Sequence, residues 1–234
     1  MNSFDVTVLH FLNGFARRSP MLDHTMSFLT WAPFTIGAVP MAFFWYAWIQ
    51  CGSADAEKRK ILALGIFDSV FALFVARVLA FSLPFRVRPF FNSALHFQVP
   101  IGVTPSIYIG WSSFPSDRTT LFFCVAAILW MVSRRLGILA FCYTFFVACL
   151  PAMYVGMHYP TDIIAGALLG IGIAGLCRSS RLTAHVGSFV LRWANKKPAL
   201  FQAALFLWTY EIAELFHSVR DIVLHILRYA RLMN

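Results

Sequence analysis

Five long apolar runs, separated by clusters of charge, proline or glycine, organise this chain: Ala32 to Cys51, Ile61 to Phe85, Pro115 to Val132, Leu136 to Tyr154 and Tyr159 to Cys177. A helix needs roughly 20 apolar residues to cross a hydrocarbon core, so each run reads as a spanning helix whose polar ends reach the interface. Only Asp68 and Arg77 interrupt the second run. They lie about 13 Å apart along a helix. Charge at that depth is costly and usually paired, so each is expected to find its own partner on another helix. Residues 2–31 are mixed, with Phe4, Val8, Leu9, Phe11 and Leu12 on one helical face, the pattern of an interfacial helix rather than a span. After residue 178, Leu200 to Trp208 is apolar, but Glu211, Glu214, Arg220, Asp221, Arg228 and Arg231 keep one side polar. That pattern predicts an amphipathic helix lying in the interface; a sixth span is the alternative.

The expected organisation is therefore an N-terminal interfacial segment (1–31), a transmembrane core (32–178), and an amphipathic extension (179–234) that is cytoplasmic or interfacial. The fold class is all-α, an integral membrane helical bundle of about five to six transmembrane helices. Composition agrees: of 234 residues, 59% are hydrophobic and only 12% charged, against about 25% charged in soluble domains. The 25 phenylalanines suit a lipid-facing surface and an apolar cavity. In such a chain the net charge of +9 points to cytoplasmic loops and anionic lipid, not to nucleic acid. Lys58-Arg59-Lys60, Arg134-Arg135 and Arg178/Arg181 fall on one side of five alternating spans, which the positive-inside rule makes cytoplasmic. The 86–114 loop then faces the other side. Arg17-Arg18, Arg86 and Arg88 run against that rule. The five cysteines sit in or beside apolar runs without metal-ligand spacing, as small buried residues do; no metal or cofactor is expected.

Two segments carry chemistry. Phe114-Pro115-Ser116-Asp117-Arg118 opens the third span. Pro115 suits the first helical position, and the free N–H groups behind it would favour phosphate, with the Ser116 hydroxyl and the Arg118 fork as further donors. The bland alternative is a capped helix with an interfacial arginine. Gly156-Met157-His158-Tyr159-Pro160-Thr161-Asp162 opens the fifth span. Asp162, in the first turn, is placed to orient the His158 imidazole, leaving one ring nitrogen as nucleophile. The alternative is an interfacial histidine beside a capping aspartate. Arg86 and Arg88, at the exit of the second span, either snorkel to the interface or line an anion pocket.

Arg88-Pro89, Pro115-Ser116 and the stretch GMHYPTDIIAG, in that order and at that spacing, resemble the type 2 phosphatidic acid phosphatase (PAP2) superfamily over roughly residues 60–177. This superfamily includes lipid phosphate phosphatases, bacterial undecaprenyl-diphosphate phosphatases and vanadium haloperoxidases. The resemblance implies a helical membrane bundle, a metal-independent phosphate pocket on the extracytoplasmic face, and a bacterial inner-membrane setting. It implies that His158 is the nucleophile, Asp162 its orienting carboxylate, and that Arg88 and Ser116 contact phosphate. The family's lysine position holds Phe81, its general-acid histidine position holds Arg118, and its Ser-Arg pair is Pro151-Ala152. Arg118 and Arg86 are the candidates to restore positive charge. A guanidinium cannot donate a proton at physiological pH, so a leaving group that is itself a phosphate is favoured over a basic alkoxide. His96, in the long loop, is a candidate relocated acid.

Three classes of function follow. The first is an enzyme acting on a lipid phosphate or diphosphate, best a polyprenyl diphosphate, with water or another lipid or glycan as acceptor. The second is a non-catalytic lipid-phosphate binder or transport component, partnering envelope-biosynthesis proteins. The third is a transferase using a lipid-phosphate-linked donor, with Asp117 as base.

Overall fold

The computed structural model describes residues 2–52, 55–104, 110–179 and 181–216. Among these, nine helices and no strand are present: α1 (Ser3–Asn13), α2 (Pro20–Trp31), α3 (Phe34–Cys51), α4 (Ala56–Ser82), α5 (Asp117–Val132), α6 (Arg134–Tyr154), α7 (Pro160–Ser179), α8 (Arg181–Lys196) and α9 (Pro198–Ala213). Three of them, α3, α4 and α6, are long and apolar enough to cross a membrane, and Pro160–Leu176 is a shorter apolar helix. The helix starts follow local chemistry. Asn2, Ser19, Asp55 and Ser116 each accept a backbone N–H of the first turn, which satisfies one of the orphan donors there. In α3 and α6 one widened turn precedes a proline: the Val39 N–H reaches back to Phe34 O, and the Leu150 N–H to Phe145 O. Pro40 and Pro151 lack an N–H and crowd the preceding turn, and widening absorbs both defects without breaking the helix.

The innermost helix is α5, packed against α4, α6 and α7 and buried along most of its length. Its approach to α7 is set by glycine. A Cβ on Gly170 would stand 2.2 Å from Thr120 O, and one on Gly166 2.7 Å from Ser116 O. Small residues let two backbones touch where lipid supplies no hydrophobic drive. That contact also brings the opening turns of both helices together.

The C-terminal portion breaks at the Lys197–Pro198 step into two elements. Helix α8 is amphipathic and lies at the basic end, with Gly187 against Leu64 and Lys60 of α4. Helix α9 runs antiparallel to α3: Phe201 stacks on Trp48, Trp45 Nε1 donates to Thr209 Oγ1 at 3.0 Å, and Ala213 meets Gly37. Phe201, Leu205 and Ile212 join the main core. The polar residues after 208 do not prevent this: Glu211 and Glu214 are half-buried near the end of α9, and Leu215 just beyond them still packs in the core. Arg220, Asp221, Arg228 and Arg231 lie outside the described residues.

Helices α1 and α2 sit at the other end, over the close of α6 and the start of α7. Of the expected apolar face of α1, Leu9 is fully buried against Leu95, Met153 and Tyr159, whereas Phe4 and Phe11 point outward. A charged residue, Asp5, is buried beside Leu9.

Gly170→Ala is expected to destabilise the bundle by about 1–3 kcal/mol, because the new Cβ forces α5 and α7 apart. Gly172→Ala, whose Cβ would meet nothing within 4 Å, should be neutral or stabilising by up to about 1 kcal/mol from helix propensity. Thermal unfolding of the two variants in detergent checks the contrast.

Candidate active site

His158 lies in the short turn between α6 and α7, only 3% exposed. Gly156, at φ +81°, allows the reversal, and a side chain there would strike the Phe97 ring. Nδ1 of His158 is 2.9 Å from Ser113 O and 3.7 Å from Asp162 Oδ2. A carbonyl only accepts, so Nδ1 carries the proton and Nε2 is left with a lone pair. The main orienting partner is thus a backbone carbonyl, with the Asp162 charge behind it. Burial, with help from the nearby Arg88 charge, pushes the His158 pKa below the ordinary value of 6.5, although Asp162 pulls the other way. The imidazole is therefore neutral at pH 7.

Asp162 is fully buried and holds the local structure together. Its Oδ2 accepts the Tyr159 N–H at 2.8 Å, reaching from the third helical residue back to the N-cap, as in a capping box. Its backbone carbonyl accepts the Ser116 N–H at 3.2 Å, which ties the two sequence segments directly. Its Oδ1 pairs with the Arg86 guanidinium. Arg86 also donates to Thr161 Oγ1 at 2.8 Å, pairs with Asp5 Oδ2 at 2.6 Å and stacks over the Tyr159 ring at 4.0 Å. Asp5 completes the cluster by accepting the Thr161 N–H and hydroxyl.

A cavity of about 160 Å³ opens beside His158, lined by Arg77, Phe81, Phe85, Arg88, Trp111 and Asp117, among others. Arg88 is buried, and donates to Trp111 O, Met157 O and Ser112 O at 3.0–3.3 Å. These bonds fix its position between three loop strands. Phe81, Phe85 and Trp111 are exposed at the cavity edge, with the Phe81 and Trp111 rings 6.2 Å apart.

His158 and Arg88 therefore meet at one cavity, with Asp162 just behind. The other expected phosphate contacts are directed elsewhere. The Arg86 guanidinium is spent on Asp5, Asp162 and Thr161, so it serves as a structural cation. Arg118 turns away and donates to Thr30 O at 2.7 Å, beside a smaller cavity lined by Trp31 and Glu214. Ser116 is the N-cap of α5, its hydroxyl oxygen accepting from Thr119 Oγ1 at 2.8 Å. Pro115, after a cis peptide bond, stands before that cap rather than at the first helical position. His96 lies over a separate surface cleft with His10, Arg17 and Arg18. In their place the cavity gains Arg77 and Asp117, 3.5 Å apart. The signal for Arg77 was in the sequence: it sits one helical turn before Phe81, so both present to the same side. Among the described residues no cluster of His, Cys, Asp and Glu fits a metal ion.

The family model described as PAP2 superfamily matches residues 61–185. The Bacillus licheniformis protein described as "Bacitracin transport permease protein BcrC" is 23% identical over 175 residues, covering 73% of this chain and 77% of that protein. No solved structure matches.

Asp5→Ala should cost about 3–5 kcal/mol, the usual effect of breaking a buried ion pair. Arg86→Ala should cost a similar amount. Because both act through one cluster, the double variant should lose clearly less than the sum. Unfolding in detergent of the three variants measures that coupling.

Proposed function

This chain belongs to the PAP2 superfamily, and from that premise we propose that it cleaves the terminal phosphate of a polyprenyl diphosphate, with His158 as nucleophile. Membership carries a lipid-phosphatase type of function in an integral membrane protein. The finer reading rests above all on one observation: a buried, neutral imidazole whose Nδ1 is fixed by Ser113 O, at a cavity shared with Arg88.

In this mechanism Nε2 of His158 attacks the terminal phosphorus. The P–N bond forms as the bridging P–O bond breaks, and its electron pair leaves on the lipid phosphate. Water then attacks the phospho-histidine; the P–N bond breaks and the pair returns to Nε2, with the water proton released to phosphate or solvent. Arg88 holds the phosphate oxygens, and Asp162 steadies the positive charge that develops on the ring. No imidazole acid faces the leaving oxygen, because the Arg118 guanidinium is turned to Thr30 O. A phosphate leaving group needs none. The cavity volume is below the about 300–1,000 Å³ of sites for larger ligands, so it suits a compact head, with the tail outside along Phe81, Phe85 and Trp111. That size disfavours a sugar-linked donor.

The site faces the extracytoplasmic side in this reading. Lys58, Arg59, Lys60, Arg134, Arg135 and Arg178 all stand at the opposite end of the bundle, as the positive-inside rule requires of a cytoplasmic face. The second reading is binding or transport without turnover. The word "transport" in the relative's description and the missing acid favour it.

Phosphate release from undecaprenyl diphosphate, with phosphatidic acid alongside, separates the two. The expected result is release from the diphosphate that His158→Ala abolishes, with phosphatidic acid much slower. Binding without release by the wild type would favour transport. The pH profile gives a second check. Catalysis needs neutral His158, so kcat/KM falls as pH drops through its pKa. Because that pKa is depressed, the acid limb should lie below pH 6.5. A limb at or above that value would contradict the buried, desolvated imidazole.

A further inference from the structure

Arg77 finds the partner expected on another helix, Asp117 of α5, and it also reaches the cavity that holds His158 and Arg88. Its Nε–H is buried without a hydrogen-bond partner. The nearest acceptor is Asp117 Oδ2 at 3.5 Å, too long for a good hydrogen bond. Among the described residues Arg77 makes one hydrogen bond, a long one from Nη2 to Leu215 O at 3.4 Å. These residues therefore hold the guanidinium loosely, at the edge of an anion-sized space. Arg88, in contrast, has three N–H groups fixed on backbone carbonyls. Asp117 is itself anchored, as its Oδ1 accepts the Arg118 N–H at 2.8 Å.

We propose that Arg77 is the second phosphate-binding cation of this site, held by Asp117 when the cavity is empty and turned onto the phosphate oxygens when it is filled. This rests on the reading of the cavity as a phosphate site. Arg77 stands one helical turn before Phe81 on the same side of α4, so charge missing at position 81 is supplied from position 77. A planar fork at that place can span two oxygens of a terminal phosphate. The phosphate takes over the role that the Asp117 carboxylate plays in the empty site, and Asp117 is a positioning residue that sets where Arg77 waits.

The test compares wild type, Arg77→Leu, Arg77→Lys and the double variant Arg77→Leu/Phe81→Lys, by calorimetric titration with inorganic pyrophosphate in detergent and by KM for undecaprenyl diphosphate. Arg77→Leu should weaken pyrophosphate binding and raise KM about tenfold or more, the usual loss for a charged hydrogen bond, with a smaller fall in kcat. Arg77→Lys should lose less. The double variant should recover most of the binding, which a merely structural role for Arg77 would not allow. Unchanged binding and KM in Arg77→Leu, or loss without rescue, would overturn the proposal. Arg77-dependent pyrophosphate binding without any phosphate release would keep it and remove the hydrolytic reading. Release with an Arg77-independent KM would do the reverse. A wild type that neither binds nor cleaves would overturn both.

Discussion

The buried carboxylate of Asp162 is the constraint on which the rest of the structure depends. A single side chain caps α7 through the Tyr159 N–H, pairs with Arg86 and stands behind His158. Its own carbonyl holds the Ser116 N–H at the start of α5. An ionised carboxylate with no exposed surface is tolerable only when its oxygens are paired and hydrogen-bonded. Here Oδ1 takes the guanidinium and Oδ2 the backbone donor. The arrangement fixes the loop carrying Arg86 and Arg88 against the turn carrying His158. Helix capping and the placement of His158 thus share one group, so this turn cannot move without exposing a buried carboxylate.

Asp5 extends the same logic to the N-terminal segment. It enters the cluster from α1 and satisfies both the Arg86 Nη2 and the Thr161 N–H. Two carboxylates around one guanidinium leave the cluster with a net negative charge, which the α7 N-terminus offsets through its helix dipole. Helix α1 is therefore tied to the His158 end of the bundle through a buried ion pair. The arginines that run against the positive-inside pattern gain local duties there. The Arg17 backbone N–H bonds the Asp23 carboxylate, its Nε donates to Val99 O, and Arg86 closes the buried cluster.

The departures from the family's pattern form a consistent set. The acid position carries an arginine that faces Thr30, the lysine position carries a phenylalanine at the cavity mouth, and Ala152 packs in a buried apolar cluster. At each of these positions a cation or proton donor of the family's pattern is lost, whereas His158 and Arg88 still line one cavity with Asp162 behind them.

The apolar runs determined α3, α4 and α6, the three described helices long and apolar enough to cross a membrane, because length and hydropathy are properties of a segment alone; the runs at 115–132 and 159–177 form shorter helices. The short motifs determined that His158, Asp162 and Arg88 share a site, since their spacing places them at adjoining helix ends. The helix start near Ser116 was equally legible, although the helix begins at Asp117, two residues beyond the expected Pro115. Tertiary structure alone decided where the long side chains point. Arg77, Arg86 and Arg118 all sit near that site end in the sequence, yet one reaches the cavity, one is locked to Asp5 and Asp162, and one turns to Thr30 O. An arginine can extend several ångströms in any direction from its backbone, and its partner is chosen by residues distant in the chain. Asp5 lies 157 positions from Asp162, and no local pattern could pair them. The same holds for α9, whose packing on α3 is set by contacts at Gly37 and Thr209 between residues distant in the chain.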